Sequence, residues 1–275
     1  HNVLLVDHSP ESQNPAHYDN GIASLSTWPR MIHSFNSETA DVVEGEFASV
    51  YRNKLDSYTR TLMYLKGGTL FLFDRIKSKA GERHIYDWLF HAPKNGSERS
   101  MKTAGNRLFI DRAKSRLTMD ILTPSFGAGN SSGEAMIKSV TITDRNDLQL
   151  PESFVRYSTS DSLSGVNFFA TLLPEPKPMG IDYSPRPVIE KIEDGGWIGG
   201  KVTKENGIDY GFFKEDSASS MSESTVLAFR TAGARFAVST ELDGRLQKAY
   251  FEGTTFGYQN FSIRSKNPVT CAVEI

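Results

Sequence analysis

The chain has 275 residues, of which 38% are hydrophobic and 23% are charged, and its formal net charge is -2. This composition supports a sizeable core in one large all-β domain or two small ones. It excludes a dedicated nucleic-acid or membrane-surface binder, because such proteins carry a basic excess. A near-neutral protein can still carry a local basic groove for a polyanionic substrate.

Cys271 is the single cysteine, so neither an intrachain disulfide nor a cluster of thiolate metal ligands can form. It lies in the last apolar run, Val269 to Val273, and is predicted to be a buried strand residue. No apolar run reaches the ~18 residues of a membrane helix, and the start of the chain lacks the basic region of a signal peptide. Cysteine usage does not decide the compartment.

Short apolar or alternating runs separated by Gly, Asn, Asp, Ser and Pro predict an all-β fold. Taken together, they predict a large antiparallel β-sandwich of roughly 15 to 20 strands in two packed sheets. The predicted strands are Asn2–Asp7, Glu44–Tyr51, Ser57–Leu65, Thr69–Arg75, Ile85–His91, Arg107–Asp111, Arg116–Leu122, Val166–Leu173, Val188–Ile192, Trp197–Val202, Asp209–Phe213, Thr225–Arg230, Arg235–Thr240, Lys248–Phe251 and Val269–Val273.

Two stretches interrupt the strand pattern. Ser9 to Pro29 is polar and turn-rich and is predicted to be a long loop. Pro174 to Gly180 is proline-dense and extended, and it is interpreted as a connection across the edge of the sandwich, with a domain sub-boundary as the alternative. We therefore expect one domain over residues 1–275.

Several motifs occur in the first third of the chain. His1-Asn2 enters an apolar strand that ends in Asp7; Arg60 and the pair Asp74-Arg75 follow; then comes the segment His84-Ile85-Tyr86-Asp87-Trp88-Leu89-Phe90-His91. This arrangement resembles the C-terminal β-sandwich of the heparinase II/III-like polysaccharide lyases. In that family an (α/α) toroid precedes the sandwich, and this chain has no counterpart of it.

The resemblance implies a role for His1 as a metal ligand. The metal would be a divalent ion, most simply zinc, shared with a histidine and an aspartate that lie upstream of this chain. A single histidine cannot hold zinc, so the isolated chain is expected to bind the metal weakly or not at all. His8 departs from the family pattern, which places glycine directly after the strand aspartate.

The resemblance also implies an activity, namely β-elimination on a uronate-containing acidic polysaccharide. Alginate is favoured over heparan sulfate and other glycosaminoglycans, because a sulfated polymer would call for a denser set of basic residues than Arg30 alone. The catalytic residues of the family lie upstream of His1, so the isolated chain is expected to be inactive. The expected partners are the polysaccharide and the toroid, with no nucleic acid and no membrane span, and the expected location is secreted or periplasmic.

Residue types and strand alternation give further candidates. Trp28 and Arg30, directly after the long loop, are candidate substrate-binding residues, since aromatic rings stack on sugar rings. Arg60 or Arg75 is expected to form a structural pair with Asp74, and alternation from His84 places Tyr86 and Trp88 on one face, in the core.

Two other functions stay open. One is a non-catalytic carbohydrate-binding or structural sandwich. The other is a copper-dependent polysaccharide oxidase, in which the amine and imidazole of His1 would bind copper with a second histidine chosen from His8, His17, His33, His84 and His91. His8, His17 and Asp19 also form a loop cluster, most simply interpreted as solvated loop residues.

Overall fold

The structure is a computed structural model that describes residues 3–13, 28–51, 53–92, 100–112, 114–126, 134–143, 149–176, 187–215 and 222–275. The described residues form nineteen β-strands and two short 3-10 helices, Pro10–Ser12 and Ala48–Val50. The strands are β1 Leu4–Val6, β2 Arg30–Asn36, β3 Ala40–Glu46, β4 Leu55–Leu65, β5 Leu70–Ser78, β6 Tyr86–Ala92, β7 Ser100–Ala104, β8 Arg107–Asp111, β9 Ser115–Thr123, β10 Glu134–Thr143, β11 Gln149–Ser158, β12 Gly165–Pro176, β13 Val188–Asp194, β14 Trp197–Lys204, β15 Gly207–Lys214, β16 Ser224–Val226, β17 Phe229–Thr240, β18 Leu246–Tyr258 and β19 Phe261–Glu274.

The strands make three antiparallel sheets. The N-terminal sheet has the order β1-β6-β11-β10, and the central sheet has the order β2-β3-β4-β5-β12-β9-β8-β7. The C-terminal sheet has the order β13-β14-β15-β17-β18-β19, with β16 paired to β17. The prediction of an all-β antiparallel sandwich is confirmed, whereas the expectation of two sheets is wrong, because the strands divide among three.

The central sheet is the middle layer, and alternation along its strands divides its side chains between two cores. Leu72 and Phe168 pack with Tyr86 and Trp88 of the N-terminal sheet. Their chain neighbours point the other way and pack with Ile198, Val202 and Phe213 of the C-terminal sheet; these neighbours are Phe71, Phe73 and Phe169. Burial on both faces explains why β5 and β12 are apolar at consecutive positions instead of alternating with polar residues.

The C-terminal sheet folds over itself and encloses a third core. β17 and β18 both bulge, near Gly233 and Gly253 respectively. An added Cβ at Gly233 would lie 2.2 Å from Glu252 O, and one at Gly253 would lie 2.1 Å from Ala232 O. Glycine allows the two backbones to approach at this corner. Beyond the corner, Phe229 stacks on Tyr258 at 4.8 Å and lies within the same core as Phe236.

The sequence pattern misjudged several strands. The predicted strand Thr225–Arg230 is divided by a turn at Leu227, which has φ 51°. Its first part belongs to β16, and its last part joins the predicted strand Arg235–Thr240 in the continuous strand β17. β3 begins and ends earlier than predicted, and β2 was not predicted. Pro174 and Pro176 lie within β12, paired to Leu117 and Ser115 of β9, and β13 then begins the next sheet. The number of domains stays a prediction.

Candidate functional site

The first strand, β1, lies at the edge of the N-terminal sheet, and side chains cover its outer edge. Leu4 and Val6 are fully buried, and Leu4 pairs with Trp88 of β6. On the outer edge the carbonyl of Leu4 accepts hydrogen bonds from Tyr51 OH and from Gln13 Nε2, both at 3.0 Å. The strand that follows the predicted metal ligand is therefore fixed on both sides.

The turn after β1 holds two residues in the left-handed conformation. Asp7 has φ 56° and His8 has φ 58°. Aspartate and histidine tolerate this region better than most residues, but glycine adopts it without steric cost. Glycine would therefore suit position 8, and histidine adopts the left-handed conformation here.

His8 gains a contact that glycine cannot make. Its Nδ1 lies 2.9 and 2.8 Å from the two carboxylate oxygens of Asp87, a fully buried residue of β6. Ser158 of β11 donates its hydroxyl to the same carboxylate at 2.5 Å. A carboxylate beside Nδ1 orients the imidazole ring, so the half-exposed His8 side chain is held against β6.

A second histidine lies in the same corner. Asp7 Oδ2 is 2.9 Å from Nδ1 of His84 and 2.8 Å from Nζ of Lys54, while Nε2 of His84 is 3.0 Å from Glu82. Burial raises the pKa of Asp7, but hydrogen bonds from Lys54, the Ile85 amide and His84 outweigh it, so the pKa is lowered below its usual value. Together with the His8–Asp87 contact, these bonds attach the β1 turn to β6; we call residues Asp7, His8, Lys54, Glu82, His84, Asp87 and Ser158 the β1–β6 corner.

A buried ion pair lies behind β1. Arg60 donates to Asp74 twice, from Nε at 2.7 Å and from Nη2 at 2.6 Å, and Tyr58 OH donates to the same carboxylate at 3.1 Å. Burial lowers the pKa of Arg60, but Asp74 more than compensates and raises it above its usual value. The guanidinium also lies over the Tyr58 and Trp88 rings, 5.9 Å from each centroid. The predicted Arg60–Asp74 pair is thus present, whereas Arg75 donates to Lys214 O and Glu215 O.

Of the residues predicted from sequence to form the site, Trp28 and Arg30 are described, and neither belongs to the β1–β6 corner. His1 lies outside the described residues, as do His17 and Asp19. Trp28 is 55% exposed, and its carbonyl accepts a hydrogen bond from Ser49. Arg30 begins the edge strand β2, with its guanidinium 3.7 Å from Glu46. Both side chains are at the surface, where a sugar chain can reach them.

The described residues do not contain a complete metal site. Within the ranges given above, no three His, Cys, Asp or Glu side chains are grouped as ligands of one ion. Zinc needs three or four protein ligands, so these residues do not fit it by themselves, and metal binding through His1 stays a prediction. In the same part of the chain, no helix has the length and apolar character needed to span a bilayer.

Comparison with known proteins gives a match at the level of structure. No family model matches the sequence, and no curated protein matches it either. The heparan sulfate lyase HepC from Pedobacter heparinus superimposes with a TM-score of 0.51 at 14% identity, covering 68% of this chain and 28% of that chain. The chain has the fold of part of a heparan sulfate lyase. A HepC mutant gives a TM-score of 0.48 over 78% of this chain, and a heparinase III gives 0.47 over 78%.

The match covers a part of a larger enzyme. This chain spans about 28% of the length of the lyases it matches. The shared portion is the all-β portion, so the expected resemblance to the sandwich of these lyases is confirmed for the fold. At 14% identity it assigns no role to any residue.

Sequence reasoning missed the His8–Asp87–Ser158 contacts. His8 and Asp87 are 79 residues apart, and Ser158 is a further 71 residues along the chain. One signal was present, namely histidine in place of the family's glycine at position 8. The sequence did not identify Asp87 as the partner of His8, because the pairing of β1, β6 and β11 decides which residues are in contact.

Proposed function

We propose that this chain is the β-sandwich part of a polysaccharide lyase that cleaves a uronate-containing acidic polysaccharide by β-elimination, and that most of the catalytic residues belong to a preceding toroid. The observation that carries the proposal is the fold match to the all-β part of HepC. The order of motifs from His1 through His91 agrees with it. By this proposal the chain acts outside the cytoplasm, where such polymers occur.

The reaction needs three functions. Polar groups neutralise the uronate carboxylate and so acidify the C5 proton, a base removes that proton, and an acid protonates the leaving O4. The bond between C4 and O4 breaks as the C4–C5 double bond forms, which gives an unsaturated sugar at the new non-reducing end. In this proposal the chain supplies His1 toward the metal and the surface around Trp28 and Arg30 toward the polymer.

The β1–β6 corner acts in this proposal as the anchor of the N-terminal strand. β1 has three residues, too few to hold a position by its own backbone pairing. The contacts of Asp7 with Lys54 and His84, and of His8 with Asp87, fix the far end of that strand to β6. The corner thereby holds β1 at the edge of the N-terminal sheet.

Alginate is the substrate proposed first, and heparan sulfate is the alternative. Among the described residues, Arg30 is an exposed cation next to Trp28 in the sequence, and its guanidinium lies near Glu46, which favours a carboxylate polymer over a densely sulfated one. Heparan sulfate stays in the test because it is the substrate named for the solved lyases with this fold.

The decisive experiment compares the isolated chain with a longer protein that includes the preceding segment. Ultraviolet absorbance of the unsaturated uronate should rise with the longer protein on alginate and should stay flat with the isolated chain. His1→Ala in the longer protein should lower both activity and retained zinc, whereas His33→Ala, a histidine on β2, should lower neither. Inactivity of the longer protein on alginate, heparan sulfate and other uronate polymers would contradict the proposal.

A carbohydrate-binding sandwich without catalysis is the second candidate, favoured by the exposed ring of Trp28. It predicts that the isolated chain binds a polysaccharide, that Trp28→Ala abolishes this binding, and that the longer protein has no lyase activity.

The copper oxidase is the third candidate. It predicts copper binding through His1, which a copper titration of the isolated chain tests directly.

A further inference from the structure

A cavity of about 740 Å³ lies at one end of the interface between the central and C-terminal sheets. Three chain segments form most of its wall: the β4–β5 turn at Lys66 to Gly68, the end of β12 from Leu173 to Pro176, and the β14–β15 turn from Lys204 to Gly207. Ser239, Gln247 and Lys248 complete it. Its volume is typical of pockets that bind small ligands, ~300–1,000 Å³.

The cavity is remote from the β1–β6 corner. Lys54, which contacts Asp7 in the corner, directly precedes β4, and Lys66, which lines the cavity, directly follows it. At ~3.3 Å per residue, the length of β4 separates the two by on the order of 40 Å. A ligand in the cavity therefore does not contact the corner, but a long polymer can reach both.

Three lysines from different segments line the cavity. Within the described part of the chain, Lys66 and Lys248 have long contacts: Nζ of Lys66 is 3.3 Å from the half-exposed Asp41, and Nζ of Lys248 donates to Lys66 O at 3.2 Å and lies 3.9 Å from Glu274. Ion pairs open to solvent contribute little, so both ammonium groups can also contact an anionic ligand. The third lysine, Lys204, is held by a buried carboxylate.

That carboxylate belongs to Asp209, which is fully buried and lines the cavity. Its Oδ2 accepts three hydrogen bonds, from Thr69 N at 2.9 Å, Thr69 Oγ1 at 2.8 Å and Lys204 Nζ at 2.7 Å. Its Oδ1 is buried too and accepts none from the described part of the chain. Asp209 therefore holds the β4–β5 turn and Lys204 together at the wall of the cavity, and its own side chain offers no exposed surface to a ligand.

The β4–β5 turn is fitted closely onto Asp209. A Cβ at Gly68 would lie 2.6 Å from Oδ2 of Asp209, so only glycine lets the turn approach the carboxylate this closely. Elements of both sheets thus meet around one buried acid and three ammonium groups. This is an assembled site, because its members come from three separate hairpins.

We propose that this cavity is a non-catalytic binding site for a segment of an acidic oligosaccharide. Anionic groups of the sugar chain contact Lys66 and Lys248, and hydroxyl groups contact the amides of Asn206 and Gln247. The choice of polymer rests on the proposed lyase function, whereas the binding of an acidic sugar does not. On the longer protein, the site holds the polymer away from the place of cleavage.

Calorimetric titration of the 275-residue chain tests the proposal, with alginate and heparan sulfate hexasaccharides as probes and maltohexaose as the neutral comparison. We expect the acidic probes to bind and maltohexaose not to bind. The double variant Lys66→Ala/Lys248→Ala should weaken binding about tenfold or more, since it removes two charge-assisted contacts. Lys191→Ala is the matched control, because Lys191 is equally exposed at 32% and is paired with Glu193, and it should change the affinity less than twofold.

Hydrogen exchange locates the bound sugar. The acidic probe should protect the amides of residues 66–68 and 204–207 and should leave those of β11, in the N-terminal sheet, unchanged. Absence of binding, equal losses in the double variant and the control, or protection confined to β2 would overturn the proposal. Lyase activity of the longer protein is measured separately. If the longer protein is an active lyase but the 275-residue chain does not bind the probes, only the proposed binding site is rejected. If the chain binds the probes but the longer protein has no lyase activity, only the proposed function is rejected.

Discussion

Nδ1 of His8 lies 2.8 Å from Oδ2 of Asp87, which joins the turn after β1 to the start of β6. The backbone at His8 has φ 58°, and the carboxylate of Asp87 is fully buried with Ser158 as its other partner. The left-handed conformation is unfavourable for histidine, and the hydrogen bond between His8 and the Asp87 carboxylate offsets that cost. The two effects have opposite signs and can be measured separately.

Substitution of His8 separates the two effects. His8→Ala removes the contact with Asp87 but keeps a Cβ in the left-handed conformation, whereas His8→Gly removes both. We expect the free energy of unfolding of His8→Gly to exceed that of His8→Ala by about 1 kcal/mol, the usual cost of this conformation for an L-residue. Urea unfolding measures the difference. Equal stabilities would show that the turn relaxes when the ring is lost.

The buried pair of Arg60 and Asp74 should be strongly coupled. Arg60→Met leaves a buried carboxylate without its charge partner and should lower the free energy of unfolding by about 3–5 kcal/mol. The double variant Arg60→Met/Asp74→Leu should lose less than Arg60→Met alone, because both charges are then gone. Arg75→Met, in the same strand as Asp74, should cost about 1 kcal/mol. Additive losses in the double variant would contradict the coupling.

The pH dependence of stability should report on Asp7. Its pKa is lowered in the folded chain, so ionised Asp7 stabilises the fold above its unfolded pKa of about 4, and the contribution is lost as the pH falls through the folded value. The stability difference between wild type and Asp7→Asn should therefore be present near pH 6 and vanish toward pH 3. Because the side chain is 40% exposed, it should not exceed about 1 kcal/mol.

The control for this measurement is Asp56→Asn, whose carboxylate lies 3.9 Å from Lys77 at the surface. Its stability difference should stay small across the same range. A difference for Asp7→Asn that grows on acidification would have the wrong sign and would rule out the stabilising role of the ionised carboxylate.

The bulge at Gly253 should not accept a side chain. A Cβ at this position would lie 2.1 Å from Ala232 O, a backbone atom that cannot move without opening the β17–β18 pair. Gly253→Ala should lower the free energy of unfolding by about 3 kcal/mol. Gly196→Ala has φ 75° but nothing within 4 Å of the added Cβ, so it should cost only about 1 kcal/mol. Thermal unfolding of the two variants gives the comparison.

Residues close in sequence or in one strand were predictable. The apolar runs of β4, β5 and β12 predicted three strands of the central sheet, and alternation placed Tyr86 and Trp88 in the core, where both are buried. A structural pair of Asp74 with Arg60 or Arg75 was expected, and Arg60 is the partner. Each of these inferences uses side-chain period or hairpin pairing, which short-range sequence carries.

The chain by itself determined its all-β class and most of its strands, since periodic apolar patterns and turn residues act locally. Tertiary structure alone decided that the strands form three sheets, that His8 meets Asp87, and that Lys66, Lys204 and Lys248 line one cavity. These contacts join residues that are far apart in the chain. Their positions depend on which strands pair and how the sheets stack, and no local pattern specifies either.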